Sequence, residues 1–214
     1  MKLELTYPVY PFHVNQQFGD NQACTYQGVI GARVVGKEHG VCPPGYSELY
    51  PLLGMKGHTG LDLYAAHGAP CYYAAAEGVV TETSLEVHRG LGVGVTTENK
   101  YMIGQWGEHY ATTRYWHFLA VSVVEGQKVK RGDLLGYCDS TGISGGDHNH
   151  FELKPRDENG VNIYQDNGYY GAVDPISFFN GKYSEDYNQG ILMQKVGLYK
   201  QLARLWQQVK LLAK

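Results

Sequence analysis

Short apolar runs separated by glycine-rich turns dominate most of the chain, and a different periodicity takes over at its carboxyl end. Residues 71–74, 78–83, 93–97 and 110–119 carry β-branched and aromatic side chains between turn signals such as His67-Gly68-Ala69-Pro70, and each predicts a strand. Segment 121–136 alternates apolar positions with turn glycines, which predicts small antiparallel strands folding back on one another. A further strand over 151–154 runs out of Asp147-His148-Asn149-His150-Phe151-Glu152-Leu153. Pro8 and Pro11 argue against a helix in the lead-in. Residues 98–109 read as a long hairpin loop. A short helical turn is expected around Ser47-Glu48-Leu49-Tyr50, and a short helix starting at Asp174-Pro175-Ile176-Ser177. Leu198, Leu202, Leu205, Val209 and Leu212 recur at helical spacing, so the carboxyl end predicts an amphipathic helix.

The pattern therefore predicts a mostly β protein, a small antiparallel sheet domain with a C-terminal amphipathic helix. The expected parts are a lead-in strand over 1–19, an inserted loop region over 20–56, a β core over 57–180 and the basic helix over 181–214. Twenty-eight glycines and 18 tyrosines agree with tight turns and strands. The formal net charge of −3 gives no reason to expect nucleic-acid binding. Charge is uneven, however. Residues 191–214 hold five basic residues and no acid, which leaves 13 basic against 21 acidic residues in the remainder. That helix is expected to pack on its own domain, to self-associate, or to meet an anionic wall or membrane surface. Cys24, Cys42, Cys71 and Cys138 lack C-x-x-C spacing, which argues against a zinc ribbon; Cys24 and Cys42 bracket a loop and can pair in an oxidising compartment. The stretch Met1-Lys2-Leu3-Glu4-Leu5-Thr6-Tyr7-Pro8 lacks the apolar run of a signal peptide, and no transmembrane helix is expected.

Candidate chemistry centres on histidines. In an extended strand residues i and i+2 share a face, so His148 and His150 project together while Asn149 and Phe151 point away. His58-x-x-x-Asp62 adds a nitrogen and an oxygen ligand; Leu61 and Leu63 then point to a buried face if Asp62 lies in a strand. Gly57 and Gly60 let the backbone pass close to the site. His58, Asp62 and one histidine of the pair make three protein ligands with a fourth position open to water, the arrangement of catalytic rather than structural zinc.

Six motifs occur in order: Gln17-Phe18-Gly19, His58-Thr59-Gly60-Leu61-Asp62, Tyr115-Trp116-His117, Val129-Lys130-Arg131-Gly132-Asp133-Leu134-Leu135-Gly136, Ser140-Thr141-Gly142 and His148-Asn149-His150-Phe151-Glu152. Across residues 8–19 and 54–179 the chain resembles the lysostaphin/LytM-type zinc metallopeptidases, which cleave cross-links or stem peptides of bacterial peptidoglycan. The resemblance implies a mostly antiparallel β domain with a groove along its sheet, and one zinc ion per chain. It implies His58, Asp62 and His150 as zinc ligands, and His148 and His117 as non-ligand catalytic histidines. One of these takes a proton from the attacking water and the other stabilises the oxyanion; the strand position favours His148 as the base. Peptidoglycan peptides are the expected partner, and the cell wall the expected place of action, reached by phage delivery or another route without a leader.

Asn149 departs from the apolar residue more usual there, and residues beyond about 179 lie outside the resemblance. A non-catalytic relative that binds wall peptides or activates another hydrolase is the alternative, although such members usually lose ligands and here all five positions are filled. A lipoyl- or biotinyl-type carrier is set aside because it leaves the histidines unexplained. His13, His39, His67, His88 and His109 have no partners at useful spacing and are assigned to surface or core. Tyr46, Tyr50, Tyr115 and Trp116 are candidates for a peptide groove or for the core.

Overall fold

The computed structural model describes residues 1–20, 24–26 and 46–183; for 24–26, 46 and 47 it describes the backbone alone. Cys42, the Cys24 side chain and the predicted C-terminal helix lie outside the described residues. Within them, β1 (Val14–Gln16), β4 (Leu61–Tyr64), β5 (Pro70–Tyr72), β6 (Glu77–Ser84), β7 (Leu91–Thr97), β8 (Tyr101–Met102), β9 (Glu108–Val121), β10 (Lys128–Lys130), β11 (Leu134–Cys138) and β12 (His148–Arg156) join in one antiparallel sheet. Its main path runs β1-β4-β12-β9-β7-β6-β10. A separate pair is formed by β2 (Cys24–Tyr26) and β3 (Tyr46–Glu48), followed at once by the short helix α1 (Leu49–Leu52). No helix among the described residues is long and apolar enough to cross a membrane.

Strand alternation explains which face of the sheet does what. Leu61 and Leu63 of β4, Phe151 and Leu153 of β12, Tyr115 of β9, and Val93 and Val95 of β7 are completely buried on one face. Leu3, Leu5 and Val9 of the amino-terminal segment, with Tyr73, Leu135 and Phe178, complete that core. Each such aliphatic or aromatic side chain contributes roughly 1.5–3 kcal/mol on burial. The intervening residues Asp62, His148, His150 and Glu152 look out from the other face toward a groove.

Three expectations change. Strands β10 and β11 do not fold back on one another: β10 pairs with β6, whereas β11 pairs with β5 and β9. The turn at Gly132 sends the chain from one edge of the sheet into its interior, and the short apolar alternation holds no information about which neighbour it meets. Region 98–109 is not a plain loop, since β8 and a 3₁₀ turn over Gly104–Trp106 lie within it. The helix expected at Asp174 is a single 3₁₀ turn over Ile176–Phe178, with Asp174 Oδ1 accepting from the Ile176 amide at 3.0 Å.

Strand β9 bends where it matters. His117 adopts φ 69°, the left-handed region that a residue with a side chain enters at a cost of about 1–3 kcal/mol. The register with β7 shifts at this point, as at a β-bulge, and that with β11 shifts two residues on, at Leu119. The extra residue leaves Tyr115 and Phe118 both in the core and turns Trp116 and His117 together into the groove. Gly60 secures the opposite wall, because a Cβ there would collide with the Phe151 carbonyl of β12. Substituting Gly60→Ala is expected to destabilise the fold by about 1–3 kcal/mol, read as a lower urea midpoint. Gly145→Ala, where a Cβ meets nothing within 4 Å, leaves that midpoint unchanged.

Candidate metal centre and catalytic groove

The groove has a volume of about 610 Å³. Leu49, Tyr50, Leu53 and Met55 form one wall, and Trp116 with the loop from Ile143 to Asp147 forms the other. The histidines lie on its floor. Tyr50 and Trp116 thus join the groove, while Tyr115 belongs to the core; its hydroxyl donates to Thr113 Oγ1 and accepts from the Ala74 amide.

Register brings the pieces together. On β12, His150 lies directly across from Asp62 of β4, and across from Trp116 of β9 on its other side. Asp62 Oδ1 is 3.0 Å from His58 Nε2, 2.9 Å from His150 Nδ1 and 3.4 Å from His148 Nε2, and the two nitrogens of His58 and His150 are 2.9 Å apart. His58, Asp62 and His150 therefore form one group of convergent ligand atoms. The His117 ring sits 4.5 Å from that of His148 and 6.0 Å from that of His150, centre to centre. All five residues that the sequence singles out are brought to one place. Asn149 points away as expected: it is buried, and its amide donates to the Trp116 carbonyl at 3.2 Å.

Backbone carbonyls orient three of the four rings. His58 Nδ1 is 3.1 Å from Gln17 O, His117 Nδ1 is 2.6 Å from Thr141 O, and His148 Nδ1 is 2.7 Å from Gly146 O. A carbonyl only accepts, so each of these Nδ1 atoms carries the proton and each Nε2 turns inward. The Gln17-Phe18-Gly19 and Ser140-Thr141-Gly142 motifs thereby gain a physical role. The first also holds His58 through its backbone, with the Gly19 amide donating to the His58 carbonyl at 2.8 Å. The second is tied down where Thr141 Oγ1 donates to Phe118 O at 2.7 Å.

Charge follows from these contacts. Burial opposes ionisation of Asp62, yet its close contacts with His148, His150 and His58 hold its carboxyl well below the usual range. Burial likewise disfavours a charged His150, but Asp62 and Glu152 outweigh it and lift the ring to about 9. Burial, with His148 and His150 as neighbours, pushes His117 down to about 3, so that ring is neutral. With His58 protonated at Nδ1, its bare Nε2 faces the Asp62 carboxylate and His150 Nδ1 at close range. Such a convergence of acceptors is favourable only around a cation, whether a proton on His150 or a metal ion.

Sequence reading left several contributors unassigned. Glu152 is buried below His150 and receives Arg114 Nη1 at 2.5 Å; its place in the His148–Glu152 motif was the one available signal. Arg114 had none: it also binds Glu82 and stacks 4.2 Å from the Trp116 ring. His67 is exposed, as expected, but it does have a partner, Asp139 Oδ1 at 3.1 Å, with Asp147 Oδ2 at 3.9 Å. Those carboxylates lie some seventy to eighty positions along the chain, beyond the reach of local spacing.

Comparison with known proteins follows the same lines. Residues 56–163, half of the chain, match the model of peptidase family M23. The chain is 33% identical over 107 residues to the peptidoglycan DD-endopeptidase ShyC of Vibrio cholerae, covering 50% of this chain and 22% of that protein. It is 29% identical over 160 residues to the glycyl-glycine endopeptidase ALE-1 of Staphylococcus capitis, covering 71% of this chain and 39% of that protein. The chain thus spans only about a fifth of the length of the first of these relatives and two fifths of the second. Among solved structures, a chain of the SpoIIQ-SpoIIIAH pore forming complex shares the fold, with a TM-score of 0.51 at 19% identity over 84% of this chain and 92% of that one. The match across the segment that supplies His58, Asp62, His117, His148 and His150 makes the chain a member of peptidase family M23.

Proposed function

We propose that the chain is a zinc-dependent endopeptidase that hydrolyses peptide bonds in bacterial peptidoglycan, in a cross-bridge or a stem peptide, and acts at the cell wall. The convergence of His58 Nε2, Asp62 Oδ1 and His150 Nδ1 on the groove floor, beside two further histidines, carries this reading. Two imidazoles and a carboxylate are the donor set of hydrolytic zinc sites, which keep one position open. A relative named as a peptidoglycan DD-endopeptidase supports the substrate class. Zinc bound there supplies a Lewis acid that polarises a carbonyl and lowers the pKa of water toward ~7.

The protein's own residues do the rest. Apolar side chains on both walls, with a few polar groups between them, suit an extended peptide. His117 holds its Nδ1 proton on the Thr141 carbonyl and presents an unprotonated Nε2 to the groove, so we assign it to take the proton from the attacking water. His148 meets an acceptor at each nitrogen, Gly146 O at 2.7 Å and Asp62 Oδ1 at 3.4 Å, so we assign it to donate toward the developing oxyanion. This division is the reverse of the one that strand position alone favours.

Replacing His58, Asp62 or His150 by Ala is expected to abolish both zinc binding, measured by metal analysis, and the release of new amino termini from purified sacculi. His117→Ala and His148→Ala keep zinc but lose turnover by about 10²–10⁴-fold. Full activity after chelation, in protein shown to be metal-free, overturns the zinc reading. A chain that binds wall peptides with zinc in place and no cleavage is instead a non-catalytic member.

His117 also predicts a pH response of the metal-free protein. Its folded-state pKa of about 3 lies below the ordinary value of ~6.5, so its contribution to stability is present above ~6.5 and is lost as pH falls toward 3. Ring signals of His117 in NMR titrations are therefore expected to stay those of a neutral imidazole throughout the range of about pH 5–8, where exposed histidines titrate.

A further inference from the structure

His150 is the exception among the four histidines. The other three rings fix their outer nitrogen, Nδ1, on a backbone carbonyl. His150 is turned the other way, with Nδ1 toward Asp62 and His58 and Nε2 facing side chains. Those side chains are Thr59 and Glu152. Thr59 Oγ1 lies 3.4 Å from His150 Nε2 and 2.5 Å from Glu152 Oε1, and Glu152 Oε1 is itself 3.4 Å from His150 Nε2.

We propose that Thr59 and Glu152 form a positioning relay: His150 Nε2–H donates to Thr59 Oγ1, the Thr59 hydroxyl donates to Glu152, and His150 Nδ1 is thereby kept free of a proton for the metal. The direction follows from the donor inventory. An ionised carboxylate only accepts, so the hydroxyl proton goes to Glu152 and the hydroxyl lone pairs face the ring. Glu152 is in turn immobilised. Its Oε2 accepts from Arg114 Nη1 at 2.5 Å and lies 3.3 Å from Lys154 Nζ. Arg114 is clamped by Glu82, at 3.0 Å from Nε and 2.9 Å from Nη2, and packs its guanidinium over Trp116. The relay therefore rests on β6, β9 and β12 together. Without it, His150 is free to adopt the tautomer with the proton on Nδ1, which puts a hydrogen where the ligand lone pair belongs. Outer partners of this kind are worth about 10–100-fold in metal affinity.

The inference rests on the zinc reading above, and one experiment separates the two. Zinc affinity of the whole chain is measured by competition with a fluorescent chelator for the parent, Thr59→Val, Thr59→Ser and His150→Ala. Thr59→Val keeps the shape and deletes the hydroxyl, so its affinity is expected to fall about 10–100-fold; Thr59→Ser restores the hydroxyl and binds within about threefold of the parent. NMR of the zinc-loaded protein supplies a signature that packing alone does not move: the exchange-protected His150 Nε2–H signal is present in the parent and in Thr59→Ser and lost in Thr59→Val. Thr59→Ala serves the same comparison if thermal melting shows Thr59→Val unfolded. Parental affinity and a retained Nε2–H signal in the variants lacking the hydroxyl overturn the relay while leaving the zinc reading intact. A parent that binds no zinc, or a His150→Ala protein that binds it as well as the parent, overturns the zinc reading and the relay with it.

Discussion

The pairing of β12 between β4 and β9 is the constraint on which the rest of the site depends. With His150 opposite Asp62 on one side and Trp116 on the other, side chains of three strands meet at one height of the sheet. A slip of one residue in β12 sends His148, His150 and Glu152 into the core and brings Phe151 and Leu153 out. Those two side chains are completely buried, as are Leu61 and Leu63 on β4, and each resists the slip by roughly 1.5–3 kcal/mol. The histidine-bearing face is thus kept in place by apolar residues on the opposite face of the sheet.

Proton placement is the second layer. Carbonyls of Gln17, Thr141 and Gly146 select which nitrogen of His58, His117 and His148 carries hydrogen, and each of the three carbonyls comes from a loop. Loops that look like connections therefore help to orient the histidine rings. The amino-terminal lead-in beside β4 holds His58 in this way, through its Gln17 carbonyl and the Gly19–His58 backbone bond. Beneath His150 the buried Glu152 and Lys154 and the partly exposed Arg114 and Glu82 pair among themselves, so these ionised groups offset one another.

Strain is concentrated at one residue. A regular β9 places Tyr115 and His117 on the same face and Trp116 and Phe118 on the other. Both Tyr115 and Phe118 are nonetheless needed in the core, and the left-handed conformation of His117 reconciles the two demands. The burial of those aromatic rings offsets the backbone cost, and the outcome is a histidine aimed at the groove next to an indole.

By itself the sequence determined the mostly β class, the strands near 71–74, 78–83, 93–97, 110–119 and 151–154 and the inward Leu61 and Leu63, and it singled out five residues that the structure brings together. These follow from local rules: period-two alternation, turn residues, and the chemistry of histidine and aspartate in ordered motifs. Tertiary structure alone decided that β10 and β11 part company, that His117 sits on a bulge, that His67 meets Asp139, and that Arg114 and Glu152 lie beneath His150. Each of these depends on which distant strand or loop becomes a neighbour. Neighbours are chosen by burying apolar faces across the whole sheet, and no local spacing encodes that choice.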